Sequence, residues 1–323
     1  MLDYNLQLKQ LNNYLLHPAI FIGGSMSSGT SLVRSILDVH PSVKCGPETK
    51  FINILLDYLK RIYTKDRESL IFMKAAGIKN QTLDKSIGLA VYYVMLMNVE
   101  RNVERLCNKE TSNRRHIEFF KNVFPYSKFI LVIRDGREVA FSLMKRSGGR
   151  VTFKRYFGIL KEWNYDNLDS YNQCVRAGKD FCMIVRYESL VTAPETEIRK
   201  MINFLGVEWN ERVLNHEKYV NSDVKMSETE WSRAGTRRYH QFQPKSSQKI
   251  QETNNQISKN VLITNRDDLL TKVSLFLTFL SFGFTTWSVK KFIVIDFDLR
   301  KKNLIMNKKH ILLSYRFLLN DFF

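Results

Sequence analysis

None of the four cysteines in this 323-residue chain stands in a CxxC pair, which removes the usual zinc clusters. The chain also lacks a Gly-Lys-Ser/Thr phosphate loop and a three-glycine dinucleotide fingerprint, so ordinary kinase and dehydrogenase readings have no anchor. Met1 to His17 is polar with scattered leucines and has no apolar h-region, so no signal peptide or N-terminal anchor is visible. No internal repeat occurs. Acidic residues are scarce, 32 against 50 Lys and Arg, leaving a net charge of +18. Such a balance points to acidic partners: nucleic acid, an anionic membrane face, a polyanionic cofactor or an acidic peptide. A solvated, solubilising surface is the plain alternative for any single basic run. No aromatic–basic RNA motif or zinc module is present, so nucleic acid is not an expected partner.

What is present suits a globular core, with 44% hydrophobic and 25% charged residues. Ala19 to Gly24 reads as a strand, followed by a turn and a helix carrying Leu32, Val33, Ile36 and Leu37; His40-Pro41 ends that helix. Residues 51–108 carry mostly helical patterns, with Ile52, Leu55, Leu56 and Leu59 on one face. Lys128 to Arg134 and Phe181 to Tyr187 read as buried parallel strands. Asp135-Gly136 breaks the first of these, and helix resumes over Arg137 to Met144; Glu195 to Leu205 is an amphipathic helix. This alternation predicts an α/β fold with a parallel sheet, whose ligands bind at the carboxyl ends of the strands. Three segments follow: an extension at 1–17, a domain at 18–254, and an atypical basic and hydrophobic tail at 255–323. The tail holds an uncharged run, Val273 to Val289, at the short limit for a membrane span, so membrane association is an open expectation.

The segment Phe21-Ile-Gly-Gly-Ser-Met-Ser-Ser-Gly-Thr-Ser-Leu32 carries the chemistry. Backbone N–H groups of a tight turn converge on one spot, and the following helix N-terminus adds partial positive charge, which together seat a phosphate or sulfate. Gly29 lets the backbone approach an anion, and Ser28, Thr30 and Ser31 offer hydroxyls. Taken alone, such a turn also occurs as a simple strand–helix connection. Arg134, at the end of a buried strand, is costly to bury unless it meets an anion or a carboxylate. Cys45, Cys107, Cys174 and Cys182 permit two disulfides in three pairings, or four free thiols in a reducing compartment. Asn80-Gln81-Thr82 is a glycosylation acceptor if the chain is lumenal.

Gly23-Gly24, Ser28-Gly-Thr-Ser-Leu32, Leu37-Asp-Val-His-Pro41 and Cys45-Gly-Pro-Glu-Thr49 together resemble the opening of the protein-tyrosine sulfotransferases. Leu106-Cys-Asn-Lys109, Phe124 to Arg137, Tyr171-Asn-Gln-Cys174 and Tyr187-Glu-Ser-Leu190 continue the match in order, over about residues 18–245. The resemblance implies a P-loop-like sulfotransferase fold, with a central parallel sheet flanked by helices. It implies sulfuryl transfer from 3′-phosphoadenylyl sulfate (PAPS) to tyrosine hydroxyls of secreted or membrane proteins in the Golgi lumen, without a metal, by a homodimer that takes acidic tyrosine-containing segments.

It also implies roles. Glu48 matches the base that a phenol of pKa near 10 needs. Lys109 matches the cation on the bridging oxygen, and Ser232 a serine that assists it. Ser27, Ser28, Gly29, Thr30 and Ser31 surround the phosphosulfate. Arg134, Ser142 and Arg146 hold the 3′-phosphate, Tyr187 contacts the nucleotide, and Thr49 and Lys50 face the substrate. The disulfides implied are Cys45–Cys107 and Cys174–Cys182, which mark an oxidising compartment. Without the motif, Glu48 reads as a solvated loop carboxylate and Lys109 as a surface lysine.

Departures from the pattern are specific. Met26 and Ser27 stand where the family has Pro-Arg, Ile54 falls near a basic position, Arg238-Tyr-His-Gln241 replaces Lys-Pro-Val-Asn, and Ser246-Ser247 replaces Ser-Lys. Losing the turn arginine leaves N–H groups and hydroxyls for the donor. This keeps two alternatives in view: a weakly active or inactive protein binding PAPS or acidic peptide, and a sulfotransferase for another acceptor.

Overall fold

The computed structural model describes residues 4–97, 99, 103–146, 152–219 and 224. The chain forms two compact units, 1–254 and 255–323, and every described residue belongs to the first. Ser232, the substituted segments at 238–241 and 246–247, and the run Val273–Val289 lie outside the described residues.

The elements are α1 (Tyr4–Leu16), β1 (Ala19–Gly24), α2 (Thr30–Asp38), β2 (Val43–Cys45), α3 (Phe51–Thr64), α4 (Arg67–Ala75), α5 (Asn80–Leu96), β3 (Arg105–Lys109), α6 (Ile117–Val123), β4 (Lys128–Ile133), α7 (Gly136–Arg146), α8 (Phe153–Ala177), β5 (Cys182–Arg186), α9 (Tyr187–Thr192) and α10 (Pro194–Leu205). Two 3-10 helices, Thr111–Arg115 and Glu211–Tyr219, complete the set. The five strands form one parallel sheet in the order β2-β3-β1-β4-β5, flanked by helices.

The sheet is buried on both faces at its centre, which is why β1 and β4 read as unbroken apolar runs. Ile20, Ile22, Ile130 and Val132 point to one side and pack with Leu32, Val33 and Ile36 of α2 and Ile198 and Ile202 of α10. Phe21, Phe129 and Leu131 point to the other, against Phe120, Phe124, Ile52 and Val91. Alternating side chains along each strand produce this division. Phe21 stacks on Phe120 with ring centroids 4.0 Å apart, and truncating such a buried ring costs about 3–5 kcal/mol. α1 joins the same core through Leu15.

Two strands depart from the sequence pattern. Residues 51–108 read as helical, and α3, α4 and α5 take most of them. Arg105–Lys109, however, is β3, hydrogen-bonded between β2 and β1. Its apolar content is only Leu106 and Cys107, too little for a period to register. The short β2, at the sheet edge, has only three residues and likewise leaves no period to read. At the opposite edge β5 is less covered than its apolar sequence suggests: Met183 and Ile184 are half-buried and Arg186 is exposed.

β2 is fixed to α2 by a buried polar cluster. Arg34 and Asp38 are fully buried and 3.5 Å apart, and Asp38 also meets Lys44 at 3.5 Å and accepts the Cys45 N–H at 2.8 Å. Burial pushes the Asp38 pKa up, with Arg34 and Lys44 opposing. Removing one member strands the others in a low-dielectric interior, at about 3–5 kcal/mol.

Candidate active site

Because all five strands run parallel, their carboxyl ends open on one edge, and each delivers a candidate residue there. Glu48 follows β2, Lys109 ends β3, the 25–31 turn follows β1, Arg134 follows β4 and Tyr187 follows β5. β1 and β4 are neighbours although a long crossover separates them in sequence, the arrangement that opens a ligand crevice in such sheets.

The turn after β1 is curled by two left-handed residues, Ser27 (φ 70) and Gly29 (φ 102), and closed by a 3.0 Å bond from Ser28 N–H to the Ser25 carbonyl. Gly29 is required twice over. Its φ suits glycine, and a Cβ there would stand 2.4 Å from Cδ2 of the Tyr187 ring. α2 begins without a side-chain cap, so its first N–H groups keep no partner from that source. The buried hydroxyl oxygens of Ser27 and Ser28 have no hydrogen-bond partner. Buried polar atoms are rarely left so, and here they fit an anion held in the curl. Thr30 is buried and Ser31 half-buried in the same turn.

Arg134 reaches across from β4. Its Nη1 donates to the Ser27 carbonyl at 3.1 Å, its Nη2 lies 3.4 Å from Glu138 Oε2, and its guanidinium carbon sits 4.4 Å from the Tyr187 ring centroid. Of the two readings of Arg134 from sequence, the carboxylate partner is present as Glu138, and the guanidinium also lines the turn. Its Nε is buried without a partner. Ser142 and Arg146 lie further along α7, half-buried and exposed. Asp135 and Arg137 pair with each other, and Asp135 N–H donates to Glu188 Oε1 at 2.8 Å.

On the other side of β1, Lys109 Nζ donates to Glu48 Oε2 at 2.9 Å. Lys109 is 1% exposed, so it is no surface lysine, and the Glu48 side chain is 16% exposed rather than freely solvated. The Cys45–Cys107 disulfide sits directly behind this pair, at registered positions of β2 and β3. Cys174–Cys182 joins the end of α8 to β5.

Sequence reasoning missed Glu110. This carboxylate is fully buried at the end of β3, where it accepts from the Thr49 hydroxyl at 3.0 Å and from Asn53 N–H at 3.3 Å. It holds the start of α3 and hence the Glu48 loop. Burial pushes its pKa up, against the Thr49 hydrogen bond and with the Glu48 charge adding to the rise. The available signal was its place beside Lys109. Thr49 and Lys50 are exposed, and Lys50 takes a left-handed φ of 62 as the loop enters α3.

Among the described residues no group of His, Cys, Asp and Glu is arranged to hold a metal ion, and no helix is long and apolar enough to cross a membrane. Fold and edge together define an α/β protein with a curled glycine turn and a carboxylate–ammonium pair on one edge of its sheet. The sulfotransferase family profile matches residues 18–211. The chain is 36% identical over 219 residues to protein-tyrosine sulfotransferase of Drosophila melanogaster, covering 67% of this chain and 44% of that protein. It is 34% identical over 234 residues to protein-tyrosine sulfotransferase 1 of Homo sapiens, covering 70% and 63%. A solved sulfotransferase domain from the curacin biosynthetic pathway shares the fold, with a TM-score of 0.52 at 18% identity, over 75% of this chain and 98% of that one. The chain belongs to the sulfotransferase family. It spans about half the length of the fly and worm relatives it matches, 44% and 57%.

Proposed function

We propose that this chain is a protein-tyrosine sulfotransferase that moves a sulfuryl group from PAPS to tyrosine hydroxyls in acidic protein segments. The observation that carries the reading is the ion pair of Glu48 and Lys109 on the same sheet edge as the curled turn. PAPS supplies the activated sulfuryl group. The turn from Ser27 to Ser31 offers N–H groups and unpartnered hydroxyls to its phosphosulfate, and Arg134, Ser142 and Arg146 serve the 3′-phosphate. Tyr187 lies over the turn and against Arg134, where it walls the nucleotide site.

Glu48 takes the phenolic proton as the tyrosine oxygen attacks sulfur. Lys109 carries three N–H donors, so one can hold Glu48 while others meet charge developing on the departing oxygen. Position and charge do most of the work in such an in-line transfer. Thr49 and Lys50, exposed beside Glu48, receive the acidic segment. Ser232 retains its assisting role in this reading, and 18–254 is the catalytic domain. The two disulfides and the exposed Asn80 of the glycosylation triplet suit a lumenal, Golgi setting. Dimerisation and membrane association follow the family by resemblance only.

One observation favours a slower enzyme: Ser27 stands where the family places an arginine, and among the described residues the guanidinium bonded to the turn is that of Arg134. The decisive assay is radiolabelled sulfate transfer from PAPS to an acidic tyrosine peptide. No transfer, with binding of the product nucleotide intact, would leave the protein as a binder.

A further inference from the structure

Ser142 and Arg146 stand four apart on one stripe of α7, and the Arg134–Glu138 ion pair extends that stripe back to Arg134, two residues before the helix begins. Residues four apart on a helix are neighbours. The missing rung of this stripe is position 138, and it is filled by a glutamate. Glu138 Oε2 lies 3.4 Å from Arg134 Nη2, and its side chain is 13% exposed. Its second oxygen, Arg134 Nε and the Tyr156 hydroxyl of α8 are all buried without a hydrogen-bond partner.

The surroundings are not friendly to a further anion. Two guanidiniums, Arg134 and Arg137, face three carboxylates: Asp135 and Glu138 beside them, and Glu188 from α9. Tyr156 closes the site from α8 and remains a neutral hydroxyl, since burial pushes its pKa up. Asp135 already holds Arg137, so Glu138 is the carboxylate that occupies Arg134. A 3′-phosphate arriving on this stripe brings about two more negative charges to a half-buried carboxylate, and like charges at such range disfavour ionisation.

We infer that Glu138 is a built-in counter-ion of Arg134 that takes up a proton when the 3′-phosphate of the nucleotide docks on this face of α7. The inference rests on the proposed function, in which Arg134 serves that phosphate. The proton comes from solvent, and the resulting carboxyl donates its O–H to a phosphate oxygen in place of repelling it. Burial already raises the Glu138 pKa in the free protein, with Asp135 and Glu188 adding and Arg134 and Arg137 opposing. Docking raises it further, so nucleotide binding gains strength as pH falls through the interval between the free and bound values, and loses it above that interval. Glu138 also sits in the first turn of α7, where a carboxylate steadies the helix. A glutamine keeps the shape while removing both the charge and the proton.

The test is calorimetric titration of the full chain with adenosine 3′,5′-bisphosphate, in two buffers of different ionisation enthalpy across neutral pH. Adenosine 5′-monophosphate, which lacks the 3′-phosphate, is the control. Glu138→Gln should bind the bisphosphate about tenfold tighter at the alkaline end, as expected for one pK unit of relieved repulsion. It should also take up fewer protons than the wild type, while both bind the monophosphate equally, which certifies the fold. Glu138→Ala should show the same loss of proton uptake. Equal bisphosphate affinity and equal proton uptake in wild type and both variants would overturn the inference and leave the proposed function standing. Absence of bisphosphate binding in the wild type would overturn both.

Discussion

Glu48 Oε2 and Lys109 Nζ meet at 2.9 Å just beyond the two half-cystines that join their strands, so a covalent bridge and an ion pair close the same end of the ladder. The pair is assembled by the fold before any ligand arrives. A carboxylate fixed in this way acts as a base without first having to be gathered from solvent. Glu48→Gln should lower sulfate transfer by about 10²-fold or more, the usual worth of a positioned general base. Calorimetry should find nucleotide affinity within a few-fold of wild type. Unchanged turnover would remove Glu48 from the chemistry.

The contact between Gly29 and the Tyr187 ring makes a second outcome definite. Gly29→Ala forces a Cβ to 2.4 Å from the ring and into a left-handed φ of 102. Tyr187 must then leave its place beneath Arg134, and the turn uncurls. Nucleotide binding should fall by at least about tenfold, with a stability loss of about 1–2 kcal/mol. Wild-type affinity in this variant would show that neither the curl nor the ring matters to the ligand.

The two disulfides differ in the loops they close. Cys45–Cys107 spans 62 residues and Cys174–Cys182 spans 8. Chain-entropy arithmetic assigns about 4 kcal/mol to the first and about 2.5 kcal/mol to the second. Urea unfolding of the Cys45→Ser/Cys107→Ser pair should show the larger loss, and sulfate transfer should fall as well, because the Glu48 loop and Lys109 lose their shared tether. A larger effect from the short loop would contradict this ranking.

His116 supplies a pH dependence. Burial, opposed by the Asp57 charge, pushes its pKa from 6.5 down to about 4. Between those values the unfolded chain binds a proton that the folded chain refuses. The stability involved is therefore full above about 6.5 and is lost as pH falls toward 4, by up to about 3 kcal/mol. Urea titrations at pH 7 and pH 4 should show a steeper loss for wild type than for His116→Gln. Parallel losses would mean that the imidazole charges freely in the folded protein.

How much of this was legible in the chain depended on burial. β1 and β4 lie at the sheet centre, so every residue of Ala19–Ile22 and Phe129–Val132 is apolar and the strands announce themselves. β3 does not, because Asn108 and Lys109 are recruited to the polar edge and leave Leu106 and Cys107 as its apolar signature. The long helical run before it hides what remains. Glu48 and Lys109 stood out by motif and not by pattern; the Cys45–Cys107 link implied by the resemblance ties their loops together, and the β2–β3 pairing turns that nearness into a direct contact. Glu110 and Glu138 escaped notice because a carboxylate in a basic chain reads as surface, whereas Glu110 is held by Thr49 from a distant loop and Glu138 is half-buried against Arg134 with Glu188 of α9 nearby. The glycine turn was legible as a turn, since Gly29 sets it locally, but the Tyr187 ring that also demands a glycine there comes from a distant element.

The parallel order β2-β3-β1-β4-β5 gathers candidate site residues from chain positions 27 to 187, one from the end of every strand. A fragment shorter than that span lacks part of the proposed centre, so it should be silent. Pairings so far apart in sequence form late and slowly. Under the proposed function, sulfate transfer is an all-or-none witness to completed topology. A polypeptide split between β3 and β4 should remain inert as separate pieces and regain sulfate transfer only when both halves dock into a single sheet.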